Sequence, residues 1–149
     1  MNPFDIRAAL LARHAHHVVL IHFPIALFIS GAAFDVVAVW KKNCILAAAA
    51  YYNLVAAAVS ALPAMATGLL AWQLQLGGKT PRGTLRLHLA LAIISGSAMW
   101  LVRHLHVRAR RKPQPDRSVV RLSFEIATAV LVALTGHLGG FLSGVNGPG

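Results

Sequence analysis

HVVLIHFPIALFISGAAFDVVAVW, residues 17–40, decides the fold. Its ionisable side chains are His17, His22 and Asp35, and almost everything else is aliphatic, aromatic or small. About 20 apolar residues span the hydrocarbon core of a bilayer as an α-helix, and this run is long enough to do so. A secretory leader would have a shorter apolar run followed by a small-residue cleavage site. The stretch therefore reads as a retained membrane helix.

Three further apolar runs follow, over residues 44–73, 84–107 and 119–145. The punctuation between them is Lys41-Lys42-Asn43, then GGKTPRG over 77–83, then RARRKPQPDRS over 108–118. Glycine and proline mixed with charge mark turns. Connections this short make neighbouring helices antiparallel. The expected architecture is all-α: an integral membrane four-helix bundle of up-down topology, one domain across residues 1–149, bedded in lipid.

The composition agrees. The chain is 57% hydrophobic and 12% charged, where soluble domains carry about 25% charged residues. Its four acids are Asp5, Asp35, Asp116 and Glu125. The formal net charge is +10, but the basic residues lie in the short connections and no separate basic domain exists to bind nucleic acid. Cys44 is the single cysteine, which excludes an internal disulfide, a CxxC pair and a CxxCH haem-attachment motif.

Lysine and arginine accumulate on the cytoplasmic side of membrane proteins. The N-terminal tail, the second connection and their helix ends carry five: Arg7, Arg13, Lys79, Arg82 and Arg86. The first and third connections with their helix ends carry the other nine of the chain's 14. This places the first and third connections in the cytoplasm and both termini in the periplasm of a bacterial inner membrane.

That topology gathers the histidines. His17 and His22 open the first helix, His88 lies near the start of the third, and His137 lies late in the fourth, so all four reach a similar depth. His14 and His16 sit just outside. His104 and His106, among arginines at the other end, read as ordinary interfacial residues. Ionisable groups inside a membrane span are costly and mark sites or pathways. Pro24 removes a backbone donor and strains the helix one turn earlier, which can aim His22 inward. Gly136, Gly140 and Gly144 recur every four residues, a stripe suited to close helix packing or to a flat macrocycle lying against the backbone.

Imidazole ligands alone suit haem iron, copper or zinc. Structural zinc normally adds thiolates, and Cys44 is expected at the opposite face. Hydrolytic zinc would want a carboxylate base, and Asp35 and Glu125 also lie at the far end, where Arg103 or Arg121 can pair with them. One or two haem b groups need neither thiolate nor acid, and helix bundles host haem readily. The expected ligands are His22, His88, His137 and His17, with His14 a further candidate and Gly136 and Gly140 beside the cofactor; copper fits the same donors. Pairing His22 with His88 and His137 with His17 follows from placing the first helix diagonal to the third.

HAHHVVLIHFPIALFISGAAFD (residues 14–35) resembles the N-terminal signature of small bacterial inner-membrane proteins grouped as domain of unknown function 2231. That signature runs approximately HPxHPxxVHFPIALLxxAxxxD. His14, His17, His22, Phe23, Pro24 and Asp35 match it, while Ala15 and Val18 stand where it has prolines. ALPAMATGLLAW (61–72) looks like that family's second helix, and LRLHLALA (85–92) aligns with a segment carrying a histidine. TGHLGGFLSG (135–144) is similar to a TGHLGGxLxHG ending in relatives associated with c-type cytochromes, with Gly144 in place of the last histidine. The resemblance covers nearly the whole chain and implies a four-helix membrane module found near respiratory proteins.

Three functions are compatible with this pattern. The first is a haem b membrane cytochrome subunit, electron-transferring rather than an enzyme by itself. It would connect the quinone pool with a periplasmic redox partner, such as a c-type cytochrome, within a larger respiratory complex. The second is a cofactor-free structural or assembly subunit. The third, a small transporter or proton conduit, is opposed by the lack of ionisable residues at mid-membrane.

Overall fold

The structure, a computed structural model, describes residues 15–111 and 119–143. Four helices account for nearly all of them: α1 (Ala15–Lys41), α2 (Cys44–Leu76), α3 (Gly83–Arg110) and α4 (Val119–Leu142). All four are long and apolar enough to cross a membrane. The expected helix ends hold to within a few residues; α2 and α3 run further and α4 stops at Leu142.

The turns are closed by specific chemistry. Lys42 takes a left-handed φ of 53°, and the N–H of Asn43 returns to the carbonyl of Ala38 at 3.0 Å. The Asn43 side chain then caps α2 by accepting from the N–H groups of Ile45 and Leu46. At the other end of α2, Gly77 ends the helix at φ 59°, a conformation that suits glycine because it has no Cβ. The Trp72 indole N–H donates to the carbonyl of Lys79 at 3.0 Å, tying the second connection back onto α2.

α1 packs on α2 and α3 on α4, and the α2–α3 and α1–α4 contacts close the ring, leaving α1 diagonal to α3. Large apolar side chains such as Phe23, Ile29, Val59, Leu70, Ile94 and Val130 face outward. Lipid tails are as apolar as leucine, so such a bundle holds together through close packing of small residues. Ala57, Ala58, Ala61 and Ala64 form that buried ridge on α2. At Gly31 on α1 an added Cβ would lie 2.9 Å from Leu54 Cγ, so this glycine is what lets Leu54 seat.

The two helical hairpins share one register. Burial repeats at a constant offset of 71 residues: Phe28 with Met99, Gly31 with Val102, and Asp35 with His106. On the second helix of each hairpin it repeats at Ala50 with Arg121, Leu54 with Glu125, Ala57 with Thr128, and Ala61 with Val132. The residue types differ at almost every pair, so the equivalence lies in packing position and not in side-chain identity.

Candidate functional site

A cavity of about 340 Å³ opens between the helices at the end where the second connection lies. His17 and His88 both line it, among apolar side chains that include Ile25, Met99 and Val132. It reaches the bundle surface at Leu69 and Ile93, which are exposed. Small-molecule and cofactor sites occupy about 300–1,000 Å³ and combine apolar walls with a few placed polar groups, as here.

Each imidazole is held in the same way. His17 Nδ1 lies 3.1 Å from the carbonyl of Ala64 and 3.2 Å from Thr67 Oγ1. His88 Nδ1 lies 3.1 Å from the carbonyl of Thr135. A carbonyl only accepts, so Nδ1 carries the proton in both rings and Nε2 keeps its lone pair. Neither Nε2 has a hydrogen-bond partner among the described residues. Four residues beyond each carbonyl stands a glycine against the ring. A Cβ on Gly68 would meet His17 Cε1 at 2.9 Å, and one on Gly139 would meet His88 Cε1 at 3.2 Å. Histidine, carbonyl and glycine thus recur at 17, 64 and 68 and at 88, 135 and 139, again 71 residues apart.

The other expected ligands lie elsewhere. His22 is exposed and its Nδ1 bonds the carbonyl of Val18 on its own helix at 2.6 Å. His137 is exposed and its ring meets Phe141 edge-on at 4.9 Å. The helical repeat explains both: five residues turn a helix by about 140° from full registration, which carries His22 away from His17 and His137 away from Val132. The inward face of α1 is instead His17, Ile21, Pro24 and Ile25, so Pro24 itself lines the cavity. Gly136 does border it, with room for a Cβ only 3.2 Å from Ile25 Cδ1. Gly139, not Gly140, joins Gly136 as an α4 glycine at the cavity wall. His14 and Gly144 lie outside the described residues. The expected pairing of His22 with His88 is therefore not formed; the imidazoles that share the cavity are His17 and His88.

A second polar cluster stands at the opposite end of the bundle. Arg121 Nη1 lies 2.6 Å from Asp35 Oδ2 and 3.1 Å from Glu125 Oε1. His106 Nε2 lies 2.6 Å from Glu125 Oε1 and 2.8 Å from Arg121 Nη1. All four side chains are buried, Glu125 completely. The expected pairing of both acids with an arginine is present, through Arg121; Arg103 instead lies over the Trp100 ring at 5.0 Å. His106 is not an interfacial residue but part of this cluster. The donor atoms of Asp35, His106 and Glu125 lie within 4.8 Å of one another, a spacing that could suit a metal. The guanidinium already stands among them as the cation.

With the fold and both clusters placed, comparison with known proteins gives a family. The family model described as predicted membrane protein (DUF2231) matches residues 13–147. The chain belongs to the DUF2231 family. No curated protein and no solved structure matches it. The match spans both hairpins of this DUF2231 protein, so the cavity histidines and the buried ionic cluster lie inside the family domain. The protein is a multi-pass membrane protein whose helices meet the lipid bilayer.

Proposed function

We propose that this DUF2231 protein is a haem b-binding cytochrome subunit of a bacterial inner membrane, with His17 and His88 as the residues that would hold the haem. In this role it passes electrons between the quinone pool and a periplasmic redox partner as part of a larger respiratory assembly. The observation that carries the reading is the pair of matched imidazoles, each anchored through Nδ1 to a backbone carbonyl and each leaving Nε2 without a partner among the described residues at one apolar cavity. Metal-ligating histidines characteristically give their other ring N–H to a carbonyl or carboxylate, which fixes tautomer and orientation.

The donor set fits iron in a macrocycle better than a hydrolytic metal. Two neutral nitrogens meet no carboxylate in the cavity lining, and the surrounding side chains are almost wholly apolar. Bound haem would supply a one-electron centre. The chain's own residues do the rest. Ala64 and Thr135 orient the two rings through their carbonyls, Gly68 and Gly139 let those rings seat against α2 and α4, and Ile25, Met99 and Val132 exclude water. The opening at Leu69 and Ile93 gives an apolar ligand a route from the bilayer.

Dithionite-reduced minus oxidised absorption spectra of the detergent-purified protein, expressed with ample haem, test the proposal. Sharp α and β bands are expected. A colourless protein without bound iron would overturn it and favour the cofactor-free structural role, while copper found by metal analysis would reassign the same imidazoles.

A further inference from the structure

The two hairpins provide an internal control for the cluster of Asp35, His106, Arg121 and Glu125. At the positions where α4 buries Arg121 and Glu125, α2 buries Ala50 and Leu54. The same packing positions are thus filled without charge in one half of the molecule. Buried ion pairs can often be replaced by apolar residues with no loss of stability, and here the chain itself contains the apolar version. At these two positions packing does not demand charge.

Counting charge shows what they can do. Asp35 and Glu125 as carboxylates and Arg121 as guanidinium leave one negative charge in excess, and His106 is the remaining titratable group. These groups face Glu125 from α1, α3 and α4, and α2 contributes none. An uncompensated buried charge is costly, and one proton removes it. Its place follows from donor geometry. The guanidinium can only donate, and its Nη1 lies 2.8 Å from His106 Nε2. Nη1 also lies 3.3 Å from Nδ1, so it sits against the ring and not on the single Nε2 lone pair. A second ring proton would press an imidazolium against the guanidinium, so the extra proton goes to the carboxyl and the Nε2 lone pair faces it. The 2.6 Å contact between Nε2 and Glu125 Oε1 then needs its hydrogen on the carboxyl. Glu125 Oε2 is buried with no hydrogen-bond partner among the described residues.

We infer that Asp35, His106, Arg121 and Glu125 form a buried site that binds one exchangeable proton, held on Glu125 and hydrogen-bonded to His106. The site takes up or releases a proton inside the membrane span, at the end opposite the histidine cavity. It uses none of the cavity residues, so it stands whether or not haem is bound there.

Infrared spectroscopy of the full chain in lipid vesicles tests this at neutral pH, where carboxyl groups in water are ionised. Wild type is expected to show the carbonyl stretch of a protonated acid, shifted down in D2O and lost on raising pH. Glu125→Gln removes the group itself, and Asp35→Asn leaves Glu125 and Arg121 as a neutral pair needing no proton. Both variants keep the cluster uncharged, and in both the band should be missing, so that it stands as a positive feature in the wild-type-minus-variant difference. Absence of the band in wild type, or its survival in either variant, would overturn the inference.

Discussion

His88 Nδ1 donates to the carbonyl of Thr135 at 3.1 Å, and the pair repeats, 71 residues further along the chain, the bond from His17 to the carbonyl of Ala64. Both partners are backbone atoms, so the arrangement does not depend on which side chains occupy 64 and 135. That independence yields a contrast. His17 alone also contacts a hydroxyl, Thr67 Oγ1, whereas the Thr135 hydroxyl donates to the Leu131 carbonyl at 2.7 Å. Thr67→Val should weaken cofactor retention by about 10-fold, the lower end of outer-shell effects. Thr135→Val should leave it nearly unchanged. Titrating haem into the haem-free variants measures both.

The glycines beside the rings make a second contrast. Alanine in place of a helical glycine gains about 1 kcal/mol of helix propensity. At Gly68 the new methyl would sit 2.9 Å from His17 Cε1 and displace the ring, at a cost of about 1–3 kcal/mol for overpacking. Gly68→Ala is expected to lower both thermal stability in detergent and haem content. Gly139→Ala, with 3.2 Å to His88 Cε1, should move the melting temperature little.

Much of this molecule was legible before its structure. Four apolar runs and three charged, glycine- or proline-bearing breaks were sufficient for the bundle. Antiparallel threading also placed His17 and His88 at a common level. Which face of each helix turned inward was not legible, because a membrane helix is apolar on its lipid side as well and hydrophobic periodicity loses its meaning. Pro24 therefore drew attention to His22, although the proline is itself the inward residue. The 71-residue register was hidden too, since it pairs Asp35 with His106 and Leu54 with Glu125, which share burial and no chemistry.

Arg121 is the cation of the buried cluster, bonded to Asp35 at 2.6 Å and to Glu125 at 3.1 Å. Removing one partner of a buried ion pair typically costs about 3–5 kcal/mol. Arg121→Ala should show a loss of that size in thermal unfolding. Glu125→Gln, which leaves Asp35 and Arg121 a neutral pair, should cost less.

Cys44 is exposed at the start of α2, beside the first connection. In the orientation expected from the lysine and arginine distribution, that end of the bundle faces the cytoplasm. A membrane-impermeant thiol reagent should therefore label spheroplasts only after they are permeabilised. Labelling of intact spheroplasts would invert the orientation and put the histidine cavity on the cytoplasmic side.

The most direct measurement is the reduced-minus-oxidised spectrum of four single variants, His17→Ala, His88→Ala, His22→Ala and His137→Ala, each checked for folding by circular dichroism. The account predicts that haem bands are lost or converted to a high-spin form in the first two and retained in the last two. Bands that survive in both His17→Ala and His88→Ala, or that disappear in His22→Ala or His137→Ala with the fold intact, would contradict it.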